Sequence, residues 1–211
     1  MMKKQIIIRN TLQKDISEIA ELQKKSFPDL NENSIWKEHH LAAHLKIFPA
    51  GQYCAVYDGK IVGSCSSFIT RFMPKYKNHT WLEACGDFSL CNHNPKGDTL
   101  YNADISVHPS FQRMQIATKM NAALKELTMK LELQRILTGS RMYNYYKFSN
   151  EMSPNEYTKK VQSGKLIDPV LSFHLNNDFK LIKILPNYLP DSHSLNYGVL
   201  VEWKNPNYKF C

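Results

Sequence analysis

The chain is 211 residues long with 43% hydrophobic and 22% charged residues, an ordinary globular mixture that excludes a disordered protein and allows a sizeable core without covalent staples. Lys and Arg number 27 against 19 Asp and Glu, a formal charge of +8. No basic run exceeds two residues and no aromatic RNA-binding signature is present. The charge therefore reads as a solvated basic surface or as attraction to an acidic protein or a phosphorylated cofactor, and no nucleic-acid partner is expected.

Cys54, Cys65, Cys85, Cys91 and Cys211 form an odd set without a CxxC pair, which favours a reducing compartment over a disulfide framework. Cys85, Cys91 and His93 lie near one another in sequence but match no zinc spacing, so no metal is expected. Residues 1–9 are too short for a secretory segment, and no apolar run approaches the about 18 residues needed to cross a bilayer. The expectation is a soluble, cytoplasmic protein without a membrane partner.

In chain order, residues 5–9 read as a short buried strand. A helix follows, capped by Thr11 or Asp15, with Ile16, Ile19, Ala20 and Phe27 at helical spacing and Pro28 at its end. A second helix is expected over 34–47, with Leu41, Leu45 and Phe48 on one face. Its His39, His40 and His44 read as packing residues. Two strands, 52–57 and 61–69, join through Asp58-Gly59, a strong hairpin signal because both residues tolerate positive φ.

Residues 81–85 read as a strand or loop edge, and 86–97, rich in Asn, Pro and Gly, as a long loop. A strand over 100–108 is closed by Pro109. The helix from Ile116 carries an apolar stripe of Met120, Ala123, Leu124, Leu127 and Leu131. A strand at 134–138 comes next, then a helix start at Ser153-Pro154-Asn155-Glu156 and another helix after Asp168-Pro169. Strands at 179–185 and 195–203 close the chain. The order implies an α/β (α+β) fold, a mixed sheet with helices on its faces.

The informative unit is the strand 101–109 running through a short polar loop into an amphipathic helix. Free N–H groups and partial positive charge at a helix N-terminus suit a phosphate or pyrophosphate, and Arg113 adds a full charge. By itself such a unit does not specify a function.

The six residues Gln112-Arg113-Met114-Gln115-Ile116-Ala117 resemble the pyrophosphate loop of the GNAT acetyltransferase family, Gln/Arg-x-x-Gly-x-Gly/Ala at a helix start. Gln112 and Ala117 match, and Gln115 stands where that family has its central glycine. Ile105-Ser106-Val107-His108-Pro109 is similar to the family's fourth strand, and the resemblance extends over nearly the whole chain. The stretches His79-Thr80-Trp81, Gly97-Asp98-Thr99-Leu100-Tyr101 and Asp168-Pro169-Val170-Leu171 resemble a bacterial subgroup. Some of its members carry a fused carbon–nitrogen hydrolase that 211 residues do not accommodate.

The resemblance implies a single GNAT-like domain over 1–211 with a helical and loop insertion around 142–169. Its sheet would be mixed and mostly antiparallel, of six to seven strands flanked by helices on both faces. It implies acetyl-CoA as co-substrate, contacted by Ile105, Ser106, Val107, Gln112, Arg113, Met114, Gln115, Ile116, Ala117 and Thr118, and no metal. The reaction implied is direct attack by a primary amine of a small molecule or protein in a ternary complex. A non-catalytic acyl-CoA sensor or protein-interaction module is the alternative, and the oligomeric state stays open, a homodimer among the options.

Asp104 and Glu83 are the candidate bases. In period-2 order Asp104, Ser106 and His108 share one face of their strand, opposite Ile105 and Val107. For the acid, the family's tyrosine position falls on His174, with Asp178 where a glycine would follow. Tyr143, Tyr145 and Tyr146 are competing donors. Segments 86–97 and 142–169 are expected to shape the acceptor cleft.

Overall fold

Asp58 and Gly59 turn the chain at φ 52° and 76°, and the hairpin they close is the start of a seven-stranded sheet. The structure, a computed structural model, describes residues 5–71 and 77–209; residues 1–4 and Cys211 of the sequence reading lie outside them. The strands are β1 (Ile7–Asn10), β2 (Gln52–Tyr57), β3 (Lys60–Thr70), β4 (Thr99–Val107), β5 (Arg135–Arg141), β6 (Lys180–Leu185) and β7 (Gly198–Lys204). Their spatial order is β1-β2-β3-β4-β5-β7-β6. All neighbours are antiparallel except β4 and β5, which are joined by the crossover helix that a parallel pair requires.

The helices are α1 (Ile16–Ser26), α2 (Glu38–Ile47), α3 (Trp81–Ala84), α4 (Ile116–Lys130), α5 (Pro154–Gln162) and α6 (Leu171–Asn176). They cover both faces of the sheet. One core layer joins α1 and α2 to Phe68, Tyr101, Leu137 and Leu200. The other joins α4, α5 and α6 to Val62, Leu100, Ile136 and Val201. Among the described residues no helix is long and apolar enough to cross a membrane.

Most predicted elements appear within a few residues of their expected bounds. The second helix begins later, at Glu38, because residues Glu32–Ser34 form a separate 3-10 turn capped by Asn31. Residues 81–84 are a short helix rather than a strand. The Thr80 hydroxyl accepts from the Glu83 N–H at 3.1 Å, and the Glu83 carboxylate accepts from the Thr80 N–H at 2.7 Å, a reciprocal cap that period-2 reading cannot detect. Beyond it, Gly86–Leu90 coils into one wide turn with Asp87 and Phe88 at positive φ. The Phe88 ring packs on Trp36 and Trp81.

β4 carries one extra residue against β3. Ser66 faces Asp104 while Ser67 faces Asn102, leaving Ala103 as a bulge. A bulge bends its strand and shifts the side-chain alternation by one. Before it Tyr101 faces the α1 layer; after it Asp104 and Ser106 do. At nearly the same point β4 parts from β5, the last paired residues being Tyr101 and Leu137.

Tyr188 wedges its ring against β5 and β7, where the chain has only glycines. A Cβ at Gly198 would come within 2.6 Å of the ring, and one at Gly139 would overlap it. Gly139→Ala is expected to cost about 1–3 kcal/mol by overpacking, read as a melting temperature lower by several degrees. An unchanged melting curve would show that the ring yields freely.

Candidate active site

Where β4 and β5 diverge, a cleft of about 830 Å³ opens through the sheet. One wall is the freed edge of β4, Ile105, Ser106 and Val107; the other is the end of β5, Thr138, Gly139 and Arg141. The loop before α4 and the first turn of that helix close one end, and Phe27, Trp36 and Tyr143 line the other walls.

The α4 end brings a helix N-terminus and Arg113 to the cleft. Pro109–Phe111 form a 3-10 turn, after which Arg113 and Gln115 take left-handed φ of 64° and 58°. These turns bring the chain into the N-terminus of a 15-residue helix, whose first N–H groups have no intrahelical acceptor. Gln115 sits where glycine would be unstrained, and a non-glycine residue at such φ costs about 1 kcal/mol. Gly63 lets α4 approach β3 closely, because a Cβ there would stand 2.8 Å from Ile116 Cγ2. Of the ten predicted cofactor residues, nine line the cleft. Met114 does not, and its side chain is exposed.

Asp104 faces the cleft from just beyond the bulge. Its Oδ2 accepts a hydrogen bond from Gln23 Nε2 at 2.7 Å, and the same amide donates to Ser106 Oγ at 3.0 Å. Ser106 Oγ in turn meets Ser64 Oγ at 2.8 Å. Gln23 is on the buried face of α1, so this chain of hydrogen bonds is a satisfied polar network inside a largely apolar layer. Burial pushes the Asp104 carboxyl from the ordinary 3.8 up to about 7, against the opposing pull of the Gln23 hydrogen bond and the Arg141 charge.

The other predicted catalytic residues are placed differently. Glu83 is exposed, committed to its helix cap, and absent from the cleft lining. Its hydrogen bonds at Thr80 hold its carboxyl below the ordinary value, the opposite of a poised base. Tyr145 is buried in the core, donates to the Met152 carbonyl at 3.2 Å and packs on Tyr157 and Tyr197. It does not reach the cleft.

His174 does line the cleft, but its hydrogen bonds oppose the donor role. Its Nδ1 lies 3.0 Å from the Val170 carbonyl and 3.1 Å from Ser140 Oγ. A carbonyl only accepts, so Nδ1 carries the proton and Nε2 holds a lone pair. Burial lowers the imidazole to about 4, and a neutral ring in this tautomer has no Nε2 proton to give.

Of the segments expected to shape the cleft, 142–169 contributes Tyr143 and Pro169 to its lining, and 86–97 contributes nothing. Gln23, Trp36, Arg141 and Tyr188 line it without having been predicted. Gln23 had a legible signal, a polar residue on the helix face of Ile16, Ile19 and Ala20, where burial demands a partner. Tyr188 meets Tyr101 hydroxyl to hydroxyl at 3.2 Å, and burial raises its phenol well above the ordinary value.

An acid raised from 3.8 to about 7 in the fold contributes stability that is fully present below the lower value and lost as pH rises through the upper one. Asp104→Asn should therefore be the more stable protein above pH 7, by about 1–3 kcal/mol, with the gap closing near pH 4. Urea unfolding across that range checks it; a difference independent of pH would contradict the buried-carboxyl account.

The description "Acetyltransferase (GNAT) family" matches residues 16–148. The "Uncharacterized N-acetyltransferase YkwB" of Bacillus subtilis is 42% identical over 205 residues, 97% of this chain and 91% of that protein. The "Probable hydrolase YhcX" of the same organism is 43% identical over 98% of this chain, which spans only 40% of that longer protein's length. A solved structure described as the GphF GNAT-like decarboxylase in complex with isobutyryl-CoA superposes with a TM-score of 0.76 at 19% identity, covering 94% of this chain and 99% of that one. With the family match running from α1 past the end of β5 and the parted strands that the pyrophosphate-like loop adjoins, the chain belongs to the GNAT acetyltransferase family.

Proposed function

We propose that the protein is an acyl-CoA-dependent N-acyltransferase, with acetyl-CoA as donor and a primary amine, on a small molecule or a protein, as acceptor. The observation that carries this reading is the cleft at the parting of β4 and β5, with a helix N-terminus at one end and Asp104 on its wall. The free N–H groups of the first α4 turn and Arg113 suit the donor's pyrophosphate. The freed backbone of Ile105, Ser106 and Val107 offers peptide groups to the pantetheine arm, much as a sheet edge accepts an added strand.

An amine attacks a thioester carbonyl only as the free base, so an ammonium must first lose a proton. Asp104, near 7, is poised to take it directly or through one water, since a base works best when its value lies near the operating pH. Gln23 is a positioning residue that fixes the carboxylate and steadies its charged form. Tyr188 remains protonated at neutral pH and lines the same cleft, so it replaces His174 as candidate donor to the departing thiolate. Holding both reactants together supplies much of the acceleration, up to about 7–11 kcal/mol for well-aligned groups. A cytoplasmic setting belongs to this reading.

A second reading, non-catalytic acyl-CoA binding on the same fold, is favoured by one observation, the left-handed Gln115 in the loop. Calorimetric titration with acetyl-CoA separates the possibilities. Saturable binding is expected, weakened about tenfold or more by Arg113→Ala. Gln115→Gly should keep or improve the affinity and raise stability by about 0.5–1 kcal/mol. Thiol release with an amine panel should fall as pH drops below about 7, an acidic limb that Asp104→Asn removes. Binding without turnover would favour the second reading, and no binding to folded protein would end both.

A further inference from the structure

Arg141 ends β5 at the cleft, on the same side of the strand as Leu137 and Gly139 by alternation. Its guanidinium is held but not satisfied. Nη1 lies 3.5 Å from Asp191 Oδ2, and the arginine side chain is 14% exposed. The Asp191 carboxylate is fully buried and already accepts the N–H groups of His193 at 3.1 Å and Ser194 at 3.2 Å. It orients Arg141 by charge while serving the turn between β6 and β7. Phe27 and Tyr143 flank the guanidinium, 5.8 and 5.1 Å from ring centre to Cζ. Among the described residues nothing hydrogen-bonds to it, and Nη1 is buried without such a partner.

Three further buried polar atoms in the same lining lack a partner among the described residues, Ser26 Oγ, Trp36 Nε1 and Asn102 Oδ1. Buried polar groups are normally satisfied, and a guanidinium offers five donors in a fork that matches a carboxylate. Of the described cleft-lining residues, Arg113 and Arg141 carry the full positive charges, and Arg113 belongs to the pyrophosphate loop.

We propose that Arg141 receives a substrate carboxylate, so that one of the two substrates carries such a group besides its reacting amine or thioester. The group belongs either to an amino-acid-like acceptor or to the free end of a dicarboxylyl-CoA. This deepens the acyltransfer reading, on which only the role of the amine rests.

The test compares matched ligands on the wild-type protein. Acceptor pairs run from glycine and glycinamide upward in length, each with acetyl-CoA. The donor pair is succinyl-CoA and butyryl-CoA with a neutral amine. In one arm the carboxylate member should be favoured about tenfold or more in kcat/KM, and the arm identifies the source. Arg141→Met should erase that preference, read as the ratio of the two members' kcat/KM on the same variant, a ratio that loss of a merely structural arginine would leave in place. Arg141→Lys, keeping the charge without the fork, should retain part of it. Should no thiol be released at all, the acyltransfer reading fails and the same pairs are compared by calorimetry, on CoA-saturated protein for the acceptors. Absence of a carboxylate preference in both arms, by turnover or by binding, overturns the proposal irrespective of how any variant folds.

Discussion

The parting of two parallel strands is the constraint on which the rest of this structure depends. β4 and β5 share three paired positions, from Thr99 with Arg135 to Tyr101 with Leu137, and then diverge. A sheet interrupted in its middle leaves backbone donors and acceptors unpaired on both edges, which is costly unless water or a ligand takes them. The bulge at Ala103 bends β4 just past the last pair. On the far side β5 is held by seven paired residues with β7, so the opening is framed by strands that are rigid elsewhere. Tyr188 fills the space that Gly139 and Gly198 leave beside it and lines the opening.

The same bulge decides the electrostatics. Without the extra residue, the alternation that turns Tyr101 toward the α1 layer would turn Asp104 away from it. With it, a carboxyl group enters an apolar layer where its charge is disfavoured, and the single amide of Gln23 bridges it to Ser106. The helix bearing Gln23 and the strand bearing Asp104 are 81 residues apart in sequence. The network thus ties the placement of α1 to the chemistry available on β4.

Positive charge lies at both ends of the cleft, by different means. At the α4 end, partial charges on the helix N-terminus act together with Arg113. At the β5 end the positive charge of Arg141 is fixed by a buried aspartate whose other commitments are to backbone. Two left-handed residues, Arg113 and Gln115, form the α4 approach in place of glycine. That strain is local, and the buried first-turn residue Ile116 packed against β3 offsets it.

Local chemistry in the chain determined most of the element order. The Asp58-Gly59 turn, the apolar stripe of α4, the Ser153 cap and the strand closed by Pro109 each follow from short-range rules, and the loop Gln112 to Ala117 carried the family resemblance. Asp104 was also legible as a candidate, because alternation beyond the bulge holds from Asp104 to His108. What depends on distant segments was not legible. Glu83 is a cap because Thr80 precedes a helix too short to show periodicity, and Tyr145 is core because α5 folds over it. His174 is a neutral acceptor because Val170 and Ser140 meet its Nδ1. The bulge, the end of β4–β5 pairing and the convergence of Gln23, Asp104 and Arg141 exist only once the sheet is assembled. Side-chain pKa and hydrogen-bond satisfaction are properties of surroundings, and in this protein those surroundings come from residues far apart in sequence.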